Sequence, residues 1–478
     1  MKILLLNPPY CLPEDNRKVM LKGKFFLPPL GIASISAYLK KYGYDIRAKD
    51  MFDWDWPKIE NFIELDDSDI VGITCVTNQH FNSRLLAGLF KKKKKKPIIV
   101  FGGPHATCLH EQIISHFPVD FVVRGEGENT FLELVKAIET KKVPYTVKGL
   151  TFKSDGKIIK TADRELIPDL DSLPFPTYAD YDLEAYIPYL DYEPFLGKDN
   201  RKKITLPILT ARGCPNKCNF CSCPVLWNNK VRLRSPGNVL NEIKRLKELG
   251  VKHFMFSDDT FLLNFDRVKK FCNLIIDNGI NITWSSAGRV EPVSCEVLEL
   301  MKKAGCFRIF FGVESGSPRI LKNINKNITQ DQICNAFNLS RKAKMDAYAF
   351  IMVGNPGEDN STIAETISIL RKSKPDGIVA GITQVFPGTE LEDLAKSEGF
   401  INESYWLNKR FSPLYTHEHD AFSLTIFFDK IMISELLRKK KFVLAVNSLT
   451  FLCLKEFLRF TKLYKIIYYL KDKLKKKE

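Results

Sequence analysis

Four cysteines fall within ten residues, and their spacing is the strongest chemical signal in this sequence. In the run Thr210-Ala211-Arg212-Gly213-Cys214-Pro215-Asn216-Lys217-Cys218-Asn219-Phe220-Cys221 the thiols are spaced C-x3-C-x2-C, and Cys223 follows two residues later. Thiolates are the usual ligands of iron-sulfur clusters. Three from one loop, Cys214, Cys218 and Cys221, hold three irons of a four-iron cubane and leave the fourth open to a substrate. A single zinc ion is the competing reading, because Cys223 completes a set of four thiolates. Against it, Cys221 and Cys223 give a poor bite on one tetrahedral ion, and no paired C-x2-C knuckle follows.

The elements around this loop must position it. Residues 1–140 alternate short buried-strand runs, at 3–7, 44–50, 70–76, 97–103 and 120–125, with helical stretches, which predicts a doubly wound parallel sheet of α/β class. Ligands of such sheets sit outside the carboxyl ends of the strands. Asn7-Pro8-Pro9, Gly102-Gly103-Pro104-His105 and Gly125-Glu126-Gly127-Glu128 all fall at such ends, so the three loops face one crevice. Their glycines suit close backbone approach to a large planar or phosphate-bearing ligand, and a nucleotide or flavin would use the same loops. His105 taken by itself reads equally as a loop histidine satisfied by backbone. Residues 141–203 break the alternation with a hairpin turning at Ser154-Asp155-Gly156 and a proline-punctuated linker from Ile167.

A second alternation occupies 204–400. Six strand runs, at 204–211, 253–258, 281–288, 307–314, 346–354 and 377–386, alternate with helical patterns and predict an open, partial (β/α)6 barrel. Polar or glycine-bearing residues end its strands: Asp258-Asp259, Arg289, Glu314, Gly354-Asn355-Pro356-Gly357-Glu358 and Pro387-Gly388-Thr389. Each alone is as readily a cap or a turn; their order after the cysteine loop carries the weight. Residues 401–478 form a helical region, first aromatic and then basic.

The cysteine spacing, with aromatic Phe220 just before the last thiol, resembles the motif of the radical S-adenosylmethionine (SAM) superfamily. That resemblance implies that the open iron is chelated by the amino and carboxylate groups of SAM, and that one electron cleaves SAM to a 5'-deoxyadenosyl radical. It places Asp258 and Asp259 at the SAM amino group, Arg289 and Glu314 at its carboxylate and ribose, and Gly354, Pro356 and Gly357 near adenine, with Phe220 in the same site. Cys223 is extra to the pattern and stays outside the ligand set. A flavodoxin-like sheet ahead of such a barrel, with the Gly102-Gly103-Pro104-His105 and Arg124-Gly125-Glu126-Gly127-Glu128 loops, resembles the cobalamin-binding members of the superfamily over residues 1 to about 400. By that resemblance Asn7, Gly102, Gly103, His105, Gly125, Glu126 and Gly127 contact cobalamin. One departure stands out. Many cobalamin domains carry Asp-x-His-x-x-Gly, whereas Asp50-Met51-Phe52-Asp53 has no histidine, so either cobalamin binds without a protein imidazole or the domain has lost it.

The implied activity is methylation of an unactivated carbon. Cyclisation or rearrangement needs the same cofactors, and a non-catalytic cobalamin- or cluster-binding protein is the rival from another class. No catalytic side chain is singled out. A small-molecule or lipid-like substrate and an electron donor such as flavodoxin or ferredoxin are the expected partners.

Composition agrees with this reading. A chain of 478 residues, 45% apolar, suffices for two or three cores. No apolar run approaches the roughly 20 residues of a membrane span, and the start MKILLLNPPY does not read as a signal peptide, so a cytoplasmic location is expected. Twelve cysteines are too sparse for a disulfide scaffold. The net charge of +16 would suit nucleic acid if it were spread, but residues 436–478 carry 13 Lys and Arg against 3 Asp and Glu. With +10 gathered in that tail, nucleic acid is not an expected partner. Its amphipathic helices are expected either to pack on the barrel or to make a peripheral membrane contact. The run Lys91 to Lys96 reads as a solvated helix end, where cations complement the dipole.

Overall fold

The computed structural model describes residues 1–16, 20–21, 25–189, 197, 203–410, 412–415 and 418–461. Much of the predicted linker between 190 and 202, and the tail from 462 with Tyr468 and Tyr469, lie outside the described residues.

The first sheet is built from β1 (Lys2–Asn7), β2 (Asp45–Asp50), β3 (Ile70–Thr74), β4 (Ile98–Gly102) and β5 (Phe121–Val123), all mutually parallel. Between them run α1 (Leu30–Lys41), α2 (Trp56–Leu65), α3 (His80–Lys91), α4 (Pro104–Cys108), α5 (His110–His116) and α6 (Gly127–Glu139). The strand order β2-β1-β3-β4-β5 reverses direction between β1 and β3, the switch point at which doubly wound sheets bind ligands. Two apolar cores, one on each face, explain why the strands are near-continuous apolar runs rather than alternating ones. The predicted hairpin, β6 (Leu150–Ser154) and β7 (Lys157–Lys160), joins the same sheet: β6 pairs antiparallel with β5 and extends it to seven strands.

The second sheet is six strands in sequential order, all parallel: β8 (Thr205–Ile208), β11 (His253–Phe256), β12 (Thr283–Arg289), β13 (Cys306–Glu314), β14 (Asp346–Val353) and β15 (Gly377–Ile382). A small ribbon, β9 (Ala211–Arg212) with β10 (Arg232–Leu233), brackets the cysteine loop, which also holds α7 (Cys223–Trp227). The outer layer is α8 (Pro236–Glu248), α9 (Phe265–Asp277), α10 (Cys295–Lys303), α11 (Pro318–Asn323), α12 (Gln330–Lys342), α13 (Asn360–Ser373) and α14 (Glu390–Ser397). Side-chain caps define several starts: Ser235 on α8, Asn264 on α9, and capping boxes at Thr329 and Asp359 on α12 and α13. One continuous core fills the space beneath, with Trp284 stacked on Phe256, tilted against Phe261 and edge-on to Phe271.

Beyond the barrel come α15 (Tyr405–Asn408), α16 (Ala421–Arg438) and α17 (Phe442–Thr461). Among the described residues no helix is long and apolar enough to cross a membrane. The lysine run after α3 is less solvated than expected. Lys91 pairs with Asp120 at 2.5 Å and Lys95 with Asp69 at 2.8 Å, while Lys93 donates to the carbonyls of Ile63, Glu64 and Asp66 that end α2.

Candidate cluster and cofactor site

Gly213, the residue before the first cysteine, has φ +101°, and a Cβ there would stand 2.0 Å from the Lys230 carbonyl oxygen. Only glycine lets the strand end turn into the loop beside β10. The loop is then held from three sides. From β11, Asp258 accepts from the Thr210 and Ala211 amides at 2.6 and 3.1 Å and from the Thr210 hydroxyl, and Asp259 accepts from the Gly213 amide at 3.0 Å. From the segment after α11, the Ile324 carbonyl accepts from the Asn219 amide at 3.2 Å, and the Asn325 side chain donates to the Lys217 carbonyl at 2.6 Å. From α14, the Leu391 amide donates to the Asn219 carbonyl at 3.0 Å.

The cysteines sit half-buried to buried within this frame. Asn216 Nδ2 donates to Cys214 Sγ at 3.2 Å, the Cys223 amide to Cys221 Sγ at 3.4 Å, and Arg289 to Cys218 Sγ at 3.7 Å. Interaction of the Cys223 thiol with its neighbours draws Cys214 and Cys221 down in pKa and pushes Cys223 up. Burial raises Cys218 against the opposing pull of Lys326 and Arg289. Three thiols from one loop, with Asn216 and Arg289 turned toward two of their sulfurs, are a donor set that fits a cluster.

Arg289 and Glu314 are linked here through Lys326. The Arg289 guanidinium also donates to the Lys326 carbonyl, and the buried Lys326 ammonium pairs with Glu314 at 2.8 Å. Glu314 is held at φ +64°, an uncommon conformation for a glutamate, beside a register shift in β13. Lys326 was not foreseen: it lies in an Asn- and Lys-rich stretch with no motif. Gly354 and Gly357 take positive φ in a turn whose Glu358 carboxylate folds back onto the Gly354 amide, and the Asn323 side chain ties Pro356 to the segment that clamps the cluster loop. Phe220 packs against the small apolar cluster that includes Val385, Leu391 and Ile401. Asp258 is 4% exposed, its polar contacts all within the loop frame, so it acts here as a positioning group.

On the other domain a cavity of about 230 Å³ opens at the strand ends. Gly102, Gly103, Gly125, Glu126 and Gly127 line it together with Leu5, Ile73 and Phe131, and its far wall is Leu209, Arg212 and Trp227 of the barrel. A Cβ on Gly125 would meet nothing within 4 Å, so bare backbone faces open space. The cavity is too small for a corrin ring, but its apolar walls would suit the aromatic base and tail of a cobalamin. No lining residue is a histidine.

Two members of the expected cobalamin set are placed elsewhere. Asn7 is not a lining residue and donates to Asp50 at 2.7 Å. His105 is 1% exposed and stacks on His80 at 4.5 Å, with Trp406 edge-on to both, and burial pushes its pKa well down. Its position next to two glycines made it look like a ligand residue, but α4 turns it into packing. Glu126 lines the cavity yet spends its carboxylate on the barrel: it pairs with Arg212 at 2.5 Å and Arg232 at 2.7 Å, and Glu128 pairs with Arg212 at 2.6 Å. All four side chains are mostly buried, so this network joins the two domains directly in front of the cysteine loop.

Comparison with known proteins agrees with this architecture. The radical SAM superfamily model matches residues 208–370, and the B12 binding domain model matches residues 16–135. The chain is 33% identical to an uncharacterized methyltransferase of Pyrococcus horikoshii, over 92% of this chain and 91% of that one. It is 29% identical to the anaerobic magnesium-protoporphyrin IX monomethyl ester cyclase of Rubrivivax gelatinosus, over 85% of this chain and 72% of that one. In fold it matches the radical SAM methyltransferase TsrM from Kitasatospora setae, solved with cobalamin and a [4Fe-4S] cluster, at TM-score 0.66 and 18% identity, covering 83% of this chain and 76% of that one. With a relative matched along nearly its whole length and both domain models in the expected order, the chain belongs to the radical SAM superfamily, in the group that carries an amino-terminal B12-binding domain.

Proposed function

We propose that this chain is a cobalamin-dependent radical SAM methyltransferase acting on an unactivated carbon of a small-molecule or lipid-like substrate. The observation that carries the reading is the shared wall: Arg212 and Trp227, which flank the cysteine loop, also close the cavity lined by the glycine loops of the B12-binding domain. Bound there, the cluster with SAM supplies radical chemistry and cobalamin supplies the methyl group.

The residues divide the work. Cys214, Cys218 and Cys221 hold the cluster, and Arg289 places a cation against Cys218. Phe220, Arg289, Glu314, Gly354, Pro356 and Gly357 wall the SAM site, while Asp258 and Asp259 fix the loop from behind. Gly102, Gly103, Gly125, Glu126 and Gly127 wall the cobalamin site. The Arg212–Glu126 and Arg212–Glu128 pairs set the distance between the two sites, which is the protein's main lever on such chemistry. The first domain runs through the hairpin to Lys160, the radical SAM core covers 204–400, and the helical region follows. An electron donor such as flavodoxin or ferredoxin, a cytoplasmic location and a peripheral membrane contact complete the proposal.

Anaerobic incubation of the reconstituted enzyme with SAM, reductant and cell extract tests it by mass spectrometry. Methylation by this route yields both 5'-deoxyadenosine and S-adenosylhomocysteine. 5'-Deoxyadenosine alone would replace methylation with cyclisation or rearrangement, and neither product would refute an enzymatic role.

A further inference from the structure

The carboxyl-terminal helices leave one surface that the catalytic reading does not use. α17 rests on α16 through a narrow stripe: Ala445 and Leu452 are buried, and Lys455 pairs with Asp429. Beside that stripe, Phe442, Val446, Leu449 and Cys453 follow one another at i, i+4, i+7 and i+11, so they share one face, and all four are exposed. Phe442 and Val446 are 59% and 58% exposed, and Leu444 and Phe451 add exposed apolar surface on the flank. Scattered exposed apolar residues are ordinary; a row along one helix marks a contact surface.

The charge around the row selects its partner. Lys439, Lys440 and Lys441 are exposed at the turn into α17, and residues 436–453 carry four Lys and Arg with no Asp or Glu. A second copy would bring the same charge against itself. An anionic lipid surface gains from both the apolar row and the cations. No described helix is long and apolar enough to cross a membrane, and α17 is anchored to the body through Ala445 and Leu452, so the contact is one of lying along the surface.

We propose that α17 docks this protein on an anionic lipid bilayer, with the Phe442, Val446, Leu449 and Cys453 face in the headgroup region. The surface is remote from the cysteine loop in the chain and stands or falls separately from the methyltransferase reading. The test is flotation of the full-length holoenzyme with vesicles of phosphatidylcholine alone, or of equal parts phosphatidylcholine and phosphatidylglycerol. Wild type should float with the mixed vesicles and several-fold less in high salt. The double variant Val446→Glu, Leu449→Glu should lose binding by about tenfold or more, because it puts two carboxylates against the anionic surface. SAM cleavage by that variant should match wild type, which shows that its fold is intact. Three outcomes overturn the proposal: wild type that stays in solution with mixed vesicles, equal flotation with both vesicle types, or a wild-type dimer that the double variant converts to a monomer. The last would make the face an interface between copies of this chain.

Discussion

At the scale of single residues, the three proposed cluster thiols and the extra Cys223 make different predictions. Cys214→Ala, Cys218→Ala and Cys221→Ala are each expected to abolish the brown chromophore and all SAM cleavage. Cys223→Ala should keep iron near wild type, because Cys223 is extra to the C-x3-C-x2-C spacing; iron and sulfide assays of the four variants check this. Glu358 offers a pH test. Burial raises its carboxyl to about 7 from an ordinary 4.5, so the folded chain holds a proton that the unfolded chain releases. Its contribution to stability therefore falls as pH rises from 4.5 to 7 and is flat above that. Glu358→Gln, which keeps an acceptor for the Gly354 amide, should flatten that slope in denaturant melts compared across the window. The cysteines were legible in the sequence because ligand chemistry fixes both residue type and spacing. Lys326 was not, because its pairing with Glu314 across a turn leaves no local pattern.

At the scale of elements, strand ends act as clamps as much as ligand sites. The sequence placed all six strands of the second sheet in the right order, because period and length separate them from amphipathic helices. It could not show that Asp258 faces backward, toward Thr210 and Ala211. This difference is measurable. Asp258→Ala leaves buried amides unpaired and should cost about 2–3 kcal/mol with loss of cluster content, whereas Asp258→Asn retains an acceptor and should recover most of both. A residue needed only for its charge toward SAM would lose activity equally in either variant while the cluster stayed loaded. The hairpin read as part of the linker is likewise an edge of the first sheet, since nothing in Leu150–Ser154 says which strand it will pair with.

At the scale of the whole molecule, a buried ion-pair network joins the two domains beside their apolar contacts. Arg212→Ala strands Glu126 and Glu128 partly or wholly without a cation, and removing one partner of a buried pair costs about 3–5 kcal/mol. The expected readout is a fall in S-adenosylhomocysteine relative to 5'-deoxyadenosine, because the cavity and the cysteine loop lose their fixed spacing. Where many cobalamin domains carry a histidine, Asp50-Met51-Phe52-Asp53 has none, so Co(II) cobalamin bound to this chain should show no nitrogen superhyperfine splitting from an axial ligand in electron paramagnetic resonance. Such splitting would point to a protein imidazole from elsewhere in the chain.

The same buried carboxylate and guanidinium groups have a temporal consequence. Trp227 and Arg212 form the far wall of the cavity, and the Glu126 and Glu128 pairs fasten that wall to the loops opposite. Because the cavity opens at the strand ends, a cobalamin tail can enter the folded protein with this latch shut, which makes cofactor insertion a step that needs no unfolding. Folded protein soaked with cobalamin should retain as much of it after gel filtration as protein refolded in the same concentration, and high salt should not change this, since screening hardly reaches a buried latch.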